Sequence, residues 1–214
     1  MRKTHWFAIA VSTLFVVTLF LRFVGFKEES LVNIAPITAM ALCFGLFSNR
    51  SAWGFALAFV GLFLSDVFVT ALVVHGDPTL SFAGLLFSPV VGLRYLVYGA
   101  FFGIAWLLHK RRSSALALVI TPLATGTFYI VMNTVAWISS MPPFAYAKTF
   151  AGWWQSQTIG LPIPGAPPSY LFLRNAMVGD ALFTILFLAL VVWVPKKVSG
   201  YSPDSPLNAA KNAV

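Results

Sequence analysis

The sequence predicts an all-α integral membrane protein, a bundle of six transmembrane helices with both termini in the cytoplasm. Composition, apolar run length and the placement of basic residues carry this reading. Of 214 residues, 59% are hydrophobic and only 9% are charged, against roughly 25% charged in an ordinary soluble domain. Mean hydropathy is +0.85. The net charge of +8 is a sign often read as nucleic-acid binding. Here the basic residues sit between long apolar runs, which is the pattern of membrane topology, so no nucleic-acid partner is expected.

A helix needs about 20 apolar residues to cross the ~30 Å hydrocarbon layer. Six segments approach that length, at about 6–26, 31–47, 52–75, 88–108, 115–138 and 170–194. The first follows Arg2 and Lys3, as a signal peptide would. Its apolar run is too long for a signal sequence and no small-residue cleavage site precedes Lys27-Glu28-Glu29, so it is expected to be retained. The second is short and contains Pro36, which predicts a tilted, kinked or partly buried helix. It also holds the single cysteine, Cys43, which leaves no internal disulfide framework and no thiolate metal cluster.

The connections are short apart from 139–169. Its aromatic part, Phe144–Trp154, suits a short interfacial helix. Its later part, Gly160–Pro168, cannot be regular helix, because Pro162, Pro164, Pro167 and Pro168 each remove a backbone donor. Residues 1–197 are read as one domain and 198–214 as a polar cytoplasmic tail.

Counting Lys and Arg sets the direction. With the N-terminus inside, the inner segments hold Arg2, Lys3, Arg50, Lys110, Arg111, Arg112, Lys196, Lys197 and Lys211, and the outer ones only Lys27 and Lys148. That asymmetry places both termini and the tail in the cytoplasm, with 139–169 on the outer side.

At 1.5 Å per residue, Arg22, Asn33, Arg94, Asn133, Arg174 and Asn175 fall in the outer half of the membrane. Asp66 and Asp180 fall between its middle and its outer surface. The inner half offers only hydroxyls such as Ser12, Thr13 and Thr121, which can bond to their own helix. A charge at the bilayer centre costs on the order of 3 kcal/mol, so these side chains face protein or water. The asymmetry predicts a polar cavity at the outer face. Arg22 and Arg174 are also close enough to the interface to snorkel, and pairs such as Asp66–Arg94 or Asp180–Arg22 would serve equally as structural ion pairs. Three intramembrane arginines against two aspartates leave about one surplus positive charge, which favours an anion.

Small residues recur at helix-packing spacing in Ala35-x3-Ala39, Gly54-x3-Ala58 and Gly99-x3-Gly103. Motifs of enzymatic chemistry are missing: no GxxxxGK[ST], HExxH or GxSxG occurs, and His5, His75 and His109 lie at span ends on both sides. No catalytic residue, metal site or cofactor is assigned, and enzymatic activity is not expected.

The stretch Asn33-Ile-Ala-Pro36-Ile-Thr-Ala39-Met-Ala41-Leu, followed by Leu64-Ser65-Asp66, resembles a family of uncharacterised bacterial six-helix membrane proteins. That family is related to the substrate-binding S components of energy-coupling-factor transporters. The likeness continues through Asn133-Thr-Val-Ala-Trp137, Tyr146-Ala-Lys148-Thr-Phe-Ala-Gly152 and Gly179-Asp180. It implies a bundle in a bacterial inner membrane that captures a small molecule from outside, with a transmembrane coupling subunit and ATPases driving import. By position, Arg22, Asn33, Asp66, Asn133, Trp137, Tyr146 and Asp180 match the family's recurrent polar or aromatic residues. The first helix departs from the docking pattern of S components, offering only Ala8-x3-Ser12, and the Pro-rich segment 161–168 is long for that family.

The leading expectation is therefore a substrate-binding membrane subunit. Arg22 and Arg94 would pair an anionic group, Asp66, Asp180, Asn33 and Asn133 would orient the ligand, and the aromatic segment 146–154 would act as a lid. Trp137 and Tyr146 would otherwise be ordinary interfacial aromatics. The alternative is a non-catalytic accessory or assembly subunit of a larger membrane complex, docked through its Phe-rich surface and small-residue stripes.

Overall fold

A computed structural model describes residues 2–31, 33–34, 36–47, 52–77, 79–142, 145–161 and 167–193. The regular structure among these residues is entirely helical, with no strand among them. The elements are α1 (Arg2–Lys27), α2 (Ile37–Phe47), α3 (Ala52–Gly76), α4 (Phe82–Leu86), α5 (Pro89–Leu107), α6 (Ser114–Ser139), α7 (Phe150–Gln157) and α8 (Ser169–Leu188), which runs on into a π turn at Ala189–Trp193. The tail, most of the Pro-rich segment, and Ala35, Arg50 and Phe144 lie outside the described residues.

Among the described residues, four helical stretches are long and apolar enough, by length and composition, to cross a membrane: Phe59–Gly76, Phe82–Arg111, Ser114–Ser139 and Ser169–Trp193. Local chemistry sets several of their ends. Ser88 accepts a hydrogen bond from Val91 N at 3.3 Å with Pro89 behind it, and Ser113 accepts one from Leu116 N at 3.0 Å. Both are N-caps of the kind a hydroxyl before an apolar run predicts. Their outward faces carry Leu96, Leu107, Leu123, Ile130 and Leu182, all exposed. Such continuous apolar surface is a liability in water and is the ordinary outer surface of a helix bundle in lipid.

The second expected span differs from the prediction. α2 has 11 residues, about 16 Å at the helical rise, half the thickness of the hydrocarbon layer. Pro36 stands just before it, where a proline's missing N–H is harmless, and its carbonyl accepts Met40 N at 3.1 Å. All of its residues from Ile37 to Phe47 are buried, as a helix apolar on every face should be. It packs against α5, α8, α6 and α3 and is the axis of the core, with Phe44 and Phe47 set 5.9 and 5.6 Å from the Phe187 ring.

Close approach to α2 depends on glycines outside the predicted stripes. A Cβ on Gly45 would lie 2.6 Å from Ala105 Cβ and 2.7 Å from the Phe102 carbonyl oxygen, so α2 and α5 touch backbone to backbone. One on Gly179 would lie 2.1 Å from the Ile34 carbonyl oxygen. By contrast Gly103 has nothing within 4 Å and Gly99 only the Phe59 ring at 3.7 Å. Ala35 is outside the described residues, and nothing is assigned to the side-chain positions of Gly54 and Ala58.

The approach allowed by Gly179 lets the next residue, Asp180, reach the start of α2. Its Oδ1 accepts Ala39 N at 2.8 Å and its Oδ2 accepts the Thr125 hydroxyl at 2.6 Å. Asp180 thus caps α2 from another helix, satisfying an orphan N–H and facing the positive end of the helix dipole. Thr121 and Thr125 also bond back to Ala117 O and Thr121 O at 2.8 and 2.9 Å. The expected own-helix role of Thr121 is therefore present.

Adding a methyl at Gly179 should push α8 off Ile34 and loosen this cap. Gly179→Ala is expected to lower stability by about 1–3 kcal/mol, read as a lower unfolding midpoint in detergent, whereas Gly103→Ala, inside α5 with open space around it, should hold or raise the midpoint. Equal midpoints for both variants would show that α8 can back away freely.

Candidate functional site

Asp66, on α3, is 3% exposed and bonded to two guanidinium groups from two other helices. Arg94 of α5 donates from Nη2 to Oδ2 at 2.6 Å, and Arg22 of α1 places Nη2 3.1 Å from Oδ1. The predicted Asp66–Arg94 pair is present. Arg22 joins the same carboxylate, so the suggested Asp180–Arg22 pair is replaced, and Asp180 serves α2. One carboxylate against two guanidiniums leaves one positive charge in excess.

The arginines are not fully used. Arg22 Nη1, Arg94 Nε and Asp66 Oδ1 are buried without a close hydrogen-bond partner, as are the hydroxyls of Thr18, one turn below Arg22, and Ser65, the neighbour of Asp66. The Tyr95 hydroxyl, beside Arg94, faces the Asp66 carboxylate. Buried polar atoms of native proteins nearly always find a partner. These atoms are concentrated around one ionic group, beside a cavity.

Both arginines line a cavity of about 580 Å³. Its walls come from the C-terminal ends of α1, α3 and α6 and the N-terminal ends of α2, α5 and α8, so it sits at the end of the bundle that carries the α1–α2, α3–α5 and α6–α8 connections. Asn33 and Asn133 join Arg22 and Arg94 on the lining. Asn33 has φ 62°, a left-handed conformation that asparagine tolerates better than most residues. It holds only a long 3.5 Å bond to Phe172 O, and Asn133 Nδ2 donates to Tyr129 O at 3.0 Å. The remaining walls are largely apolar and aromatic, with Tyr98 stacked on Phe128 at 4.6 Å between centroids and 15° between planes.

Four of the eight expected site residues, Arg22, Asn33, Arg94 and Asn133, therefore share one cavity. Asp66 lies behind the arginines and Asp180 beneath Thr125, which lines the cavity. Trp137 and Tyr146 are not among the lining residues. They belong to a clasp that ties the chain after α6 back to that helix. Trp137 Nε1 donates to Ala147 O at 2.8 Å, and Tyr146 N donates to Ser140 Oγ at 3.0 Å. The Lys148 ammonium donates to the carbonyls of Trp137, Ile138 and Ser140 at the C-terminus of α6, where a cation also suits the helix dipole. Burial pushes the Tyr146 phenol above its ordinary pKa, a shift the Ser169 hydroxyl and Leu161 backbone partly offset.

The expected interfacial helix is α7, which starts at Phe150 after a capping bond from Gly152 N to Thr149 Oγ1 at 3.2 Å. Gly152 is required there, because a Cβ would meet the Ala147 carbonyl oxygen at 2.0 Å. Trp153 Nε1 donates to Thr134 Oγ1 at 2.9 Å and the Tyr129 hydroxyl to Gln157 O at 2.5 Å. Tyr129 thus joins α7 to the cavity wall. It escaped the sequence reading, as did Tyr98, Thr125 and Phe128. Helical spacing held a signal for two of them, since Tyr98 and Tyr129 stand one turn from Arg94 and Asn133 on the same faces.

The model of a family of unknown function, DUF6580, matches residues 2–203, a span that includes every element described above. The chain belongs to the DUF6580 family. No curated protein matches it, and no solved structure does. DUF6580 membership brings no activity with it, so the chemistry of the site rests on the geometry.

That geometry makes Asp66 the counter-charge of two helices. Asp66→Ala leaves two guanidiniums facing each other in a buried site and should cost about 3–5 kcal/mol, seen as a large fall in unfolding midpoint or yield. Asp66→Asn, which keeps an acceptor, should lose less. A wild-type midpoint for the alanine variant would show the ion pairs to be dispensable for folding.

Proposed function

We propose that this DUF6580 protein is a membrane-embedded solute-binding subunit that captures a small molecule in the cavity beside Arg22 and Arg94. The observation that carries the reading is a roomy cavity with two partly unpartnered guanidinium groups on its wall. Its volume lies within the ordinary range for small-molecule sites. A purely structural ion pair would be expected in a collapsed, close-packed setting.

In this reading the chain crosses a bacterial inner membrane six times, with both termini cytoplasmic, as the distribution of Lys and Arg suggests. The cavity then faces outward. The short α2 counts as a crossing only together with the chain preceding it. The likeness to energy-coupling-factor S components suggests import, with a separate coupling subunit and ATPases supplying the energy. Arg22, Arg94, Asn33 and Asn133 contact the solute. Asp66 holds the arginines in place, Asp180 fixes α2 below it, and the clasp of Trp137 and Tyr146 steadies the mouth.

Native mass spectrometry of the protein gently extracted from its own membrane tests this. A small-molecule adduct is expected, and Ala176→Phe, which places a large side chain in the cavity, should remove it while leaving the bundle folded. An adduct that survives Ala176→Phe would move the site elsewhere. Recovery in a larger complex of fixed stoichiometry without any adduct would favour the accessory-subunit reading.

A further inference from the structure

The charge and shape of the cavity restrict what it accepts. We infer that its occupant is a monoanion, a small molecule whose single carboxylate sits on Arg22 and Arg94 and whose flat apolar body lies against the aromatic wall. This rests on the reading of the cavity as a solute-binding site and narrows it to a substrate class.

The charge count comes first. The ionisable side chains on the lining with a fixed charge are Arg22 and Arg94, and the carboxylate bonded to them is Asp66 alone. Asp180, the nearest other acid behind the wall, is occupied by the α2 N-terminus and Thr125. The cavity therefore holds one net positive charge in surroundings of low dielectric. A monoanion cancels it, a neutral solute leaves it, a cation adds to it and a dianion reverses it.

The donors agree with the count. Arg22 and Arg94 both line the cavity and keep 13% and 23% of their side chains exposed, while Asp66 behind them is sealed at 3%. A carboxylate offers two acceptor oxygens, one for each guanidinium, as charge-assisted hydrogen bonds. The same cavity is lined by Phe128 stacked on Tyr98, one turn from Arg94, and by Tyr129 and Phe172. Aromatic walls favour a planar body that stacks offset or edge-on. The amides of Asn33 and Asn133 are left for a neutral polar substituent.

The test titrates the full-length protein in detergent with naphthoate, naphthamide, naphthalene dicarboxylate and naphthylmethylamine, which differ chiefly in charge. Naphthoate should bind at least about tenfold more tightly than the other three. Arg94→Gln leaves a neutral Arg22–Asp66 pair and should weaken naphthoate by about ten- to a hundredfold and naphthamide by only a few-fold, so that the preference for the anion is lost. Asp66→Asn raises the surplus charge and should shift the preference to the dicarboxylate. Should that variant fail to fold, Arg94→Gln alone decides. Equal binding of naphthoate and naphthamide to the wild-type protein, or an unchanged preference in Arg94→Gln, overturns the monoanion and leaves solute binding intact. If no naphthalene binds, the native adduct decides: the formula of a monoanion supports the inference, and that of a neutral, cationic or dianionic solute overturns it. Absence of both probe and adduct overturns the solute-binding reading itself.

Discussion

The short, wholly buried helix α2 is the constraint on which the rest of the structure depends. It fills the axis of the bundle over Ile37–Phe47 and stops there. Beyond its N-terminus the axis is occupied by no helix, and the cavity occupies that region, with Asn33, Ile34 and Ile37 on its lining. A helix ending inside a low-dielectric core exposes several unpaired N–H groups and a positive dipole end. Asp180 answers one of those donors and the dipole together. The close approach of α8 at Gly179 is what brings the carboxylate into range. The Gly179-Asp180 pair is thus a single device: the glycine removes the Cβ that would separate two chains, and the aspartate uses the proximity.

The ionic cluster above α2 answers a different problem. α1, α3 and α5 each bring one charged residue to the same depth, and their mutual attraction fixes the relative heights of three helices. In water such pairs contribute little. In a membrane interior each of these charges alone costs on the order of 3 kcal/mol, so the alternatives to pairing are worse and the register is correspondingly well specified. Asp66 therefore has a structural task whether or not a ligand is present.

The sequence made the long helices legible because their ends carry local signals. Ser88-Pro89 and Ser113 cap helices that begin within a residue of the expected positions. Depth arithmetic put Arg22, Arg94, Asn33 and Asn133 at a common level near one end of the bundle, and these four meet at one cavity. What escaped was determined by long-range contacts. The length of α2 depends on what packs around it, since an apolar run of that composition is consistent with a span or a core helix. The role of Asp180 is written in Ala39 and Thr125, 141 and 55 residues away in sequence. α4 has five residues, too few for periodicity to register. Trp137 and Tyr146 carried a recognisable pattern, but their hydrogen bonds to the chain after α6 follow only from how that chain turns back.

Two guanidiniums on one carboxylate are more than a structural bridge needs. A single arginine would neutralise Asp66 and tie two helices without leaving a surplus charge. The second brings an uncompensated charge and buried donors without partners, which on stability grounds is a loss. Arg22 and Arg94 are both partly accessible from the cavity, at 13% and 23% exposed, while Asp66 is sealed at 3%. The cluster thus hides its negative charge and presents its positive one to the cavity. The clasp extends the same order outward: Tyr129 lines the cavity and bonds to the end of α7, and Trp153 ties α7 to Thr134 on α6. A wall held from behind in this way is ordered as the chain folds, so in the proposed solute-binding role little further freedom would be lost on binding.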